Sequence, residues 1–424
     1  MAAEPLGQDA GGVAVVPGDD VHDRDRVERA QEPAVATRVL GGAPGRLLHE
    51  GERLATGRRV AGPIAHPIDS LPAADQHRQD PGSFPWHGVS SRATAWVVKG
   101  ISAVADRALR TPICDLFGIE YPIILAGMGG VSMAPLVAAV SNAGGLGVIG
   151  AATLSPDDLR QEIRKTRALT TRPFAVDLLA PLPQMIVPHL PVLYEEGVTI
   201  FVAGLAVPEK HVVEMHAHGI TIMVMVGKVK HAVRAEAAGA DVVAAQGTEA
   251  GGHTGEIGTL ALVPQVVDAV KLPVVAAGGI VDGRGVIAAL ALGAQGAVIG
   301  TRFIATPEAT AGARYREALV GAEQDETVRT RCYTGKPLRA LKNPYIAEHE
   351  ADPRKIKPFP DQIMVSVQRG VMRYHAADAD PAATCFPAGQ GVGGFRDIKP
   401  AGEVVREVVA QAEAVLAGGV FSVS

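Results

Sequence analysis

From Thr111 onward, short Val/Ile/Ala-rich runs alternate with helix-like stretches, and this alternation restricts the fold more than any other feature. The runs are Pro122–Gly127, Leu146–Ala151, Phe174–Ala180, Val198–Leu205, Ile220–Val226, Ala240–Gly247, Pro273–Gly279 and Gly296–Arg302. Each is apolar almost throughout, as strands are when a parallel sheet is covered on both faces by helices. Helix signals fill the gaps. Ser155-Pro156-Asp157-Asp158 supplies an N-cap, a Pro at the first helical position and acids in the first turn. Pro208-Glu209 opens a further helix that Gly219 closes. Eight such units predict an α/β fold of the TIM (β/α)8 barrel type. The alternative, a doubly wound open sheet, is disfavoured by the strand count and by the lack of an early GxGxxG turn.

Composition sets outer bounds. The 424 residues are 47% hydrophobic but only 4% aromatic, so Val, Ala, Leu and Ile must fill the core. A net charge of -5 gives no electrostatic case for nucleic acid. Cys114, Cys332 and Cys385 are far apart and odd in number. They form neither a metal motif nor a disulfide framework, which favours a reducing, cytoplasmic setting and no metal. No apolar run is long enough to span a bilayer, and the N-terminus lacks the basic and apolar regions of a signal peptide.

Three segments differ in pattern. Residues 1–106 are rich in Gly, Pro, Arg, Asp and His, without sustained periodicity, and read as a disordered extension. A blunter reading places the true start near residue 100, with upstream sequence translated in frame. Residues 107–320 carry the barrel pattern. Residues 321–424 read as a C-terminal helical and loop subdomain. Within it Tyr333–Pro360 suggests loops and short helices, Ala388–Gly394 is glycine-rich, and Ala401–Leu416 has the spacing of a docking helix.

Barrel active sites lie at the C-terminal ends of the strands, and the glycine clusters fall there. Gly127-Met128-Gly129-Gly130 follows the first run, Gly251-Gly252-His253 the sixth, Gly278-Gly279 ends the seventh, and Val298-Ile299-Gly300-Thr301 ends the eighth. Any one cluster reads as a turn; four at one barrel end read as a site. The N–H groups of Gly279, Gly300 and Thr301, with the Thr301 hydroxyl, offer donors for a phosphate. The Ala126–Gly130 turn leaves room for a flat ring, so a phosphorylated ring ligand such as FMN fits. His253 stands alone among glycines, where an imidazole near neutrality serves as acid or base. His211, His216, His218 and His231 lie on or near outward-facing helices. His216 and His218, two apart, do not share a helix face and make no metal pair. Lys228, past the fifth run, reads either as a positive charge near the ring or as a surface lysine.

Several of these segments, taken in order, resemble the nitronate monooxygenase family, formerly called 2-nitropropane dioxygenases. The resemblance rests on Gln246-Gly247-Thr248-Glu249-Ala250-Gly251-Gly252-His253, Ala276-Ala277-Gly278-Gly279-Ile280 and Gly300-Thr301-Arg302-Phe303. Pro122–Met128 and Ser141–Gly147 are similar to its N-terminal motifs, so residues 111–418 are covered. The resemblance implies an FMN-binding barrel with His253 as the catalytic residue beside the flavin. It implies Gln246 and Gly251 at the flavin, Gly279 and Val298–Thr301 at the ribityl phosphate, and Met128 near the ring. Asp177 departs from the pattern, because the family usually has Asn there. An amide both donates and accepts, whereas an ionised carboxylate only accepts, so Asp177 is expected to pair with a cation such as Lys228 or to bind that edge differently.

The implied reaction takes an alkyl nitronate and O2 to a carbonyl compound and nitrite, with FMN mediating electron transfer. His253 would abstract the α-proton of a neutral nitroalkane, or, protonated, would hold a nitronate by charge. The related FMN-dependent enoyl-acyl-carrier-protein reductases share the Glu-Ala-Gly-Gly-His motif, so NAD(P)H-dependent reduction of enoyl thioesters or quinones is the rival reading. A non-catalytic binder of phosphorylated ligands is a third. The sequence leaves the oligomeric state open.

Overall fold

The computed structural model describes residues 109–181 and 183–418, so the expectation for residues 1–106 lies outside the described part. Nine strands run through the barrel sequence: β1 Ile123–Leu125, β2 Gly147–Gly150, β3 Phe174–Leu179, β4 Ile200–Gly204, β5 Thr221–Val226, β6 Val242–Gln246, β7 Gly252–His253, β8 Val274–Ala277 and β9 Ala297–Ile299. All but β7 form one parallel sheet in the order β1-β9-β8-β6-β5-β4-β3-β2. The sheet closes through a parallel bridge between Ile124 and Leu146, with Leu125 N–H donating to Leu146 O at 2.9 Å. The fold is thus the (β/α)8 barrel expected from the apolar runs.

Alternation along each strand sorts the side chains into two cores. Ile124, Val148, Ala175, Val202, Met223, Ala244, Val275 and Val298 fill the barrel interior. Their neighbours Ile123, Ile149, Val176, Phe201, Val243 and Ala276 face the helices. A short helix, Pro112–Phe117, plugs the N-terminal mouth with Ile113, Cys114 and Phe117, all buried. Burial of Phe117 alone stabilises the closed mouth by about 2 kcal/mol. With the bottom sealed, the interior opens only at the strand C-termini.

Local signals explain the helices. Ser155 caps the helix Pro156–Leu169 by accepting from Asp158 N–H at 3.2 Å. The helix expected from Pro208 begins instead at Val212. His211 N–H donates to Pro208 O at 2.8 Å, so Pro208–His211 forms a turn, a role Pro fills as readily as a helix start.

Beyond the barrel, β10 Thr327–Thr330 and β11 Leu338–Leu341 pair antiparallel, and β11 also pairs with β7. The loop reading of Tyr333–Pro360 is corrected here. Leu338-Arg339-Ala340-Leu341 contains no β-branched residue, so its strand geometry comes from partners on both sides, not from local propensity. Helices follow at Pro344–Ala351, capped by Asn343, and at Asp361–Gln368. The last helix, Ala401–Ala417, buries Val404, Val405, Val408, Val409 and Ala412 against the barrel, as its spacing predicts.

Candidate active site

A cavity of about 430 Å³ opens at the C-terminal end of the barrel. Gly127, Met128, Asp177, Gln246, Gly251, Gly252, His253, Gly278, Gly279, Val298, Gly300 and Thr301 all line it. The structure does not bring the Ile299 side chain there. It is fully buried on the helical side, because its neighbours Val298 and Gly300 take the inward positions of β9.

Asp177 continues the inward row of β3 begun by Ala175. It is 9% exposed, and its carboxyl has no hydrogen-bond or ion-pair partner among the described residues. Gly127 closes on it so tightly that a Cβ there would lie 2.3 Å from Asp177 Cβ and 2.5 Å from Oδ2. On the other side a Cβ at Gly204 would lie 3.6 Å from Oδ1. Burial with no compensating donor pushes the carboxyl up to about 8. Of the two alternatives for Asp177, the ion pair with Lys228 is not formed. Lys228 is exposed at the start of the helix Val229–Ala237.

The loop after β6 is tied down before it reaches its histidine. Thr248 N–H donates to Ile257 O at 2.8 Å, and Thr254 Oγ1 to Gly247 O at 2.8 Å. Glu249 turns away from the chemistry. Its carboxylate accepts from Thr259 N–H at 2.9 Å and from the Thr259 hydroxyl at 2.9 Å, capping the helix Thr259–Ala269. Gln246 Nε2 donates to His253 O at 3.1 Å, and β7 sets His253 opposite Leu338 of β11. Buried Arg339 braces the loop by donating through Nε to Thr248 O at 2.8 Å.

The His253 ring is held by Thr334, whose Oγ1 lies 3.0 Å from Nε2. Burial, and secondarily the positive charge of Lys336, pull the imidazole down to about 4. At neutral pH the cavity therefore pairs a neutral imidazole with a proton-bearing carboxyl. Opposed shifts of this kind separate a base from an acid.

Across the cavity, Gly278, Gly279, Gly300 and Thr301 gather as the glycine spacing suggests. The N–H groups of Gly279, Gly300, Thr301 and Gly391 donate to no acceptor among the described residues. Such converging free donors suit an anion. Thr301 Oγ1 accepts from Gly389 N–H at 2.9 Å, leaving its hydrogen free to donate. The Gly389–Gly394 run, whose use as a lid the sequence leaves open, is fixed in place. Gln390 N–H donates to Glu249 O at 2.8 Å, and Cβ atoms at Gly389 and Gly391 would meet Glu249 O at 2.6 Å and Val281 Cγ1 at 2.6 Å.

Sequence reading missed Thr334, Tyr374, Gly389 and Gly391 as lining residues. Tyr374 donates its hydroxyl hydrogen to Gly129 O, anchoring the first glycine turn. Only Gly389 and Gly391 carried a signal, their glycine density. The outward histidines stay out of the site: His216, for example, lies 3.0 Å from Asp241 on the surface. Among the described residues no group of three His, Cys, Asp or Glu could hold a metal, and no helix is long and apolar enough to cross a membrane.

The family model described as nitronate monooxygenase matches residues 110–411. A Staphylococcus saprophyticus relative described as "Probable nitronate monooxygenase" is 36% identical over 300 residues, covering 60% of this chain and 84% of its own length. A Rhodococcus jostii protein, named (3aS,4S,5R,7aS)-5-hydroxy-7a-methyl-1-oxo-octahydro-1H-indene-4-carboxyl-CoA dehydrogenase, is 41% identical over 250 residues, or 58% of this chain and 70% of its own. Among solved structures, FabK from Thermotoga maritima matches with TM-score 0.68 at 35% identity, covering 73% of this chain and 98% of its own. Nitroalkane oxidase from Streptomyces ansochromogenes matches with TM-score 0.67 at 34% identity, covering 72% and 99%. With its barrel, its histidine loop and a family match over most of its length, the chain is an oxidoreductase of the nitronate monooxygenase family.

Proposed function

We propose that this chain is an FMN-dependent nitronate monooxygenase, oxidising alkyl nitronates with O2 to carbonyl compounds and nitrite. The observation that carries the reading is a partly buried, neutral His253 lining the same apolar cavity as a nest of free backbone donors. The residues present fit FMN. Gly279, Gly300, Thr301 and Gly391 would take its phosphate, while the Gly127–Met128 turn, Asp177, Gln246 and Gly251 would border its ring. When bound, FMN supplies the one-electron chemistry that links the substrate to O2.

The protein supplies position and proton control. Pulled down to about 4 by burial, His253 is neutral near neutrality, so it takes the α-proton of a neutral nitroalkane to give the nitronate that is then oxidised. Gln246 and Thr334 fix the backbone and the ring of that base. The apolar walls exclude water from the reacting carbon.

A second reading, NAD(P)H-dependent reduction of enoyl thioesters or quinones, is favoured by the 41% identity to a protein named as a CoA-thioester dehydrogenase. Two measurements separate them. Oxygen uptake and nitrite release with propionate 3-nitronate support the monooxygenase. Rapid anaerobic bleaching of the flavin by NADH or NADPH, with no nitrite formed aerobically, would replace it with the reductase. Purified protein that neither carries nor binds flavin would leave only a binder of phosphorylated ligands.

A further inference from the structure

We propose that Asp177 acts as a neutral carboxylic acid hydrogen-bonded to the bound flavin, so that flavin binding is linked to one proton on this side chain. The inference rests on the FMN reading above and adds a regulatory property to that site.

The geometry points there from several sides. Asp177 sits on the inward row of β3, lines the cavity, and has no donor or cation within reach among the described residues. The elements around it offer none. Gly127 and Gly204 flank it at near-contact distance. The segment Pro183–Ile186 beyond β3 carries no titratable residue. The other titratable groups lining the cavity are His253, Tyr315 and Tyr374. His253 is neutral near neutrality, and its Nε2 is engaged with Thr334. Tyr315 donates to Pro387 O at 2.5 Å and Tyr374 to Gly129 O, so neither hydroxyl hydrogen is available to Asp177. Lys228 is exposed and forms no ion pair among the described residues.

A buried, unpartnered carboxylate is costly, and the group responds by keeping its proton. The neutral acid then presents one O–H donor and one carbonyl acceptor, the pair an amide presents. That pair suits a ring edge on which carbonyls alternate with N–H, as on the flavin pyrimidine. Ionisation removes the donor and places a negative charge against the ring carbonyls. The protonated form therefore binds and the ionised form does not, so affinity is full below about 8 and is lost above it.

The test uses the full chain, stripped of flavin and titrated with FMN by fluorescence quenching between pH 6 and about 9.5. For the wild type, Kd is expected to hold steady to about pH 8 and then rise by up to about tenfold per pH unit. Asp177→Asn, whose amide does not ionise, is expected to show no such rise, while sharing every titration that belongs to FMN itself. A second measurement needs no variant. Near pH 8.5, FMN binding to the wild type is expected to take up most of one proton, read from the buffer dependence of the calorimetric enthalpy. A flat wild-type Kd, the same rise in Asp177→Asn, or binding without proton uptake would each overturn the proposal while leaving the FMN reading intact. Absence of FMN binding at every pH would overturn the FMN reading and this linkage with it.

Discussion

His253 and Thr334 are 81 residues apart in sequence and 3.0 Å apart in the structure, where the threonine hydroxyl fixes the histidine tautomer. Thr334 Oγ1 donates its single hydrogen to Lys336 O at 3.1 Å. Toward the imidazole it therefore accepts, which puts the ring proton on Nε2 and leaves Nδ1 with the free lone pair. The barrel loop supplies the base, and the turn before β11 selects its basic atom.

Thr334→Val removes that acceptor and leaves a partly buried Nε2–H unpaired. The expected cost is about 1.5 kcal/mol in the rate-determining barrier, or roughly a tenfold fall in kcat, with FMN affinity unchanged. Thr334→Ser is expected to restore most of the rate. Steady-state kinetics and flavin titration of both variants check this. Equal kcat in Thr334→Val and wild type would remove the positioning role.

The depressed His253 value fixes a pH dependence. A base whose folded pKa lies near 4 stays competent at every higher pH and is lost only as pH falls through that value. Turnover of neutral nitroethane is therefore expected to change little between pH 8 and pH 5.5, where an ordinary imidazole would already be mostly protonated. His253→Asn is expected to lower turnover by about 100-fold or more while FMN remains bound. A pH–rate profile with its acidic limb near 6.5 would contradict the buried, neutral ring.

The sequence carried much of the frame and part of the site, for separable reasons. Strands such as Val242–Gln246 were legible because burial on both faces demands an uninterrupted apolar run. The gathering of Gly127, Gly279 and Gly300 was legible because a barrel sends all its strand ends to one rim. Leu338–Leu341 was not, since its strand character comes from β7 and β10. Thr334 left no local trace, because a contact made across 81 residues has no periodicity. Lys228 stayed open between a ring-side charge and a surface lysine for a simpler reason. Proximity in sequence to a strand end does not fix where a side chain goes, and in the structure Lys228 is exposed.

Glu249 shows how a motif residue can be structural. Both its carboxylate oxygens accept from Thr259 N–H, and one also from the Thr259 hydroxyl, so it caps a helix and bonds no cavity group. Glu249→Ala is expected to lose about 1–2 kcal/mol of stability, seen as a Tm lower by a few degrees. Glu249→Gln, which keeps an acceptor, is expected to retain kcat within a few-fold. Loss of kcat by orders of magnitude in Glu249→Gln at unchanged Tm would move this carboxylate into the chemistry.

Asp177 imposes a stability cost whose sign follows from linkage. Its folded value of about 8 lies above the ordinary 3.8, so the folded chain holds a proton that the unfolded chain has released. Its contribution is intact below about 3.8, declines as pH rises through that window, and is fully lost above about 8. The upper limit of the slope is about 1.4 kcal/mol per pH unit. Asp177→Asn escapes the loss, because an amide does not ionise. Flavin-free Asp177→Asn is therefore expected to lie within about 1 kcal/mol of the wild type near pH 4.5 and to exceed it by a few kcal/mol at about pH 8. Urea unfolding of both proteins at the two pH values measures the difference. A gap that stays constant with pH would mean the buried carboxyl titrates as it does in the unfolded chain.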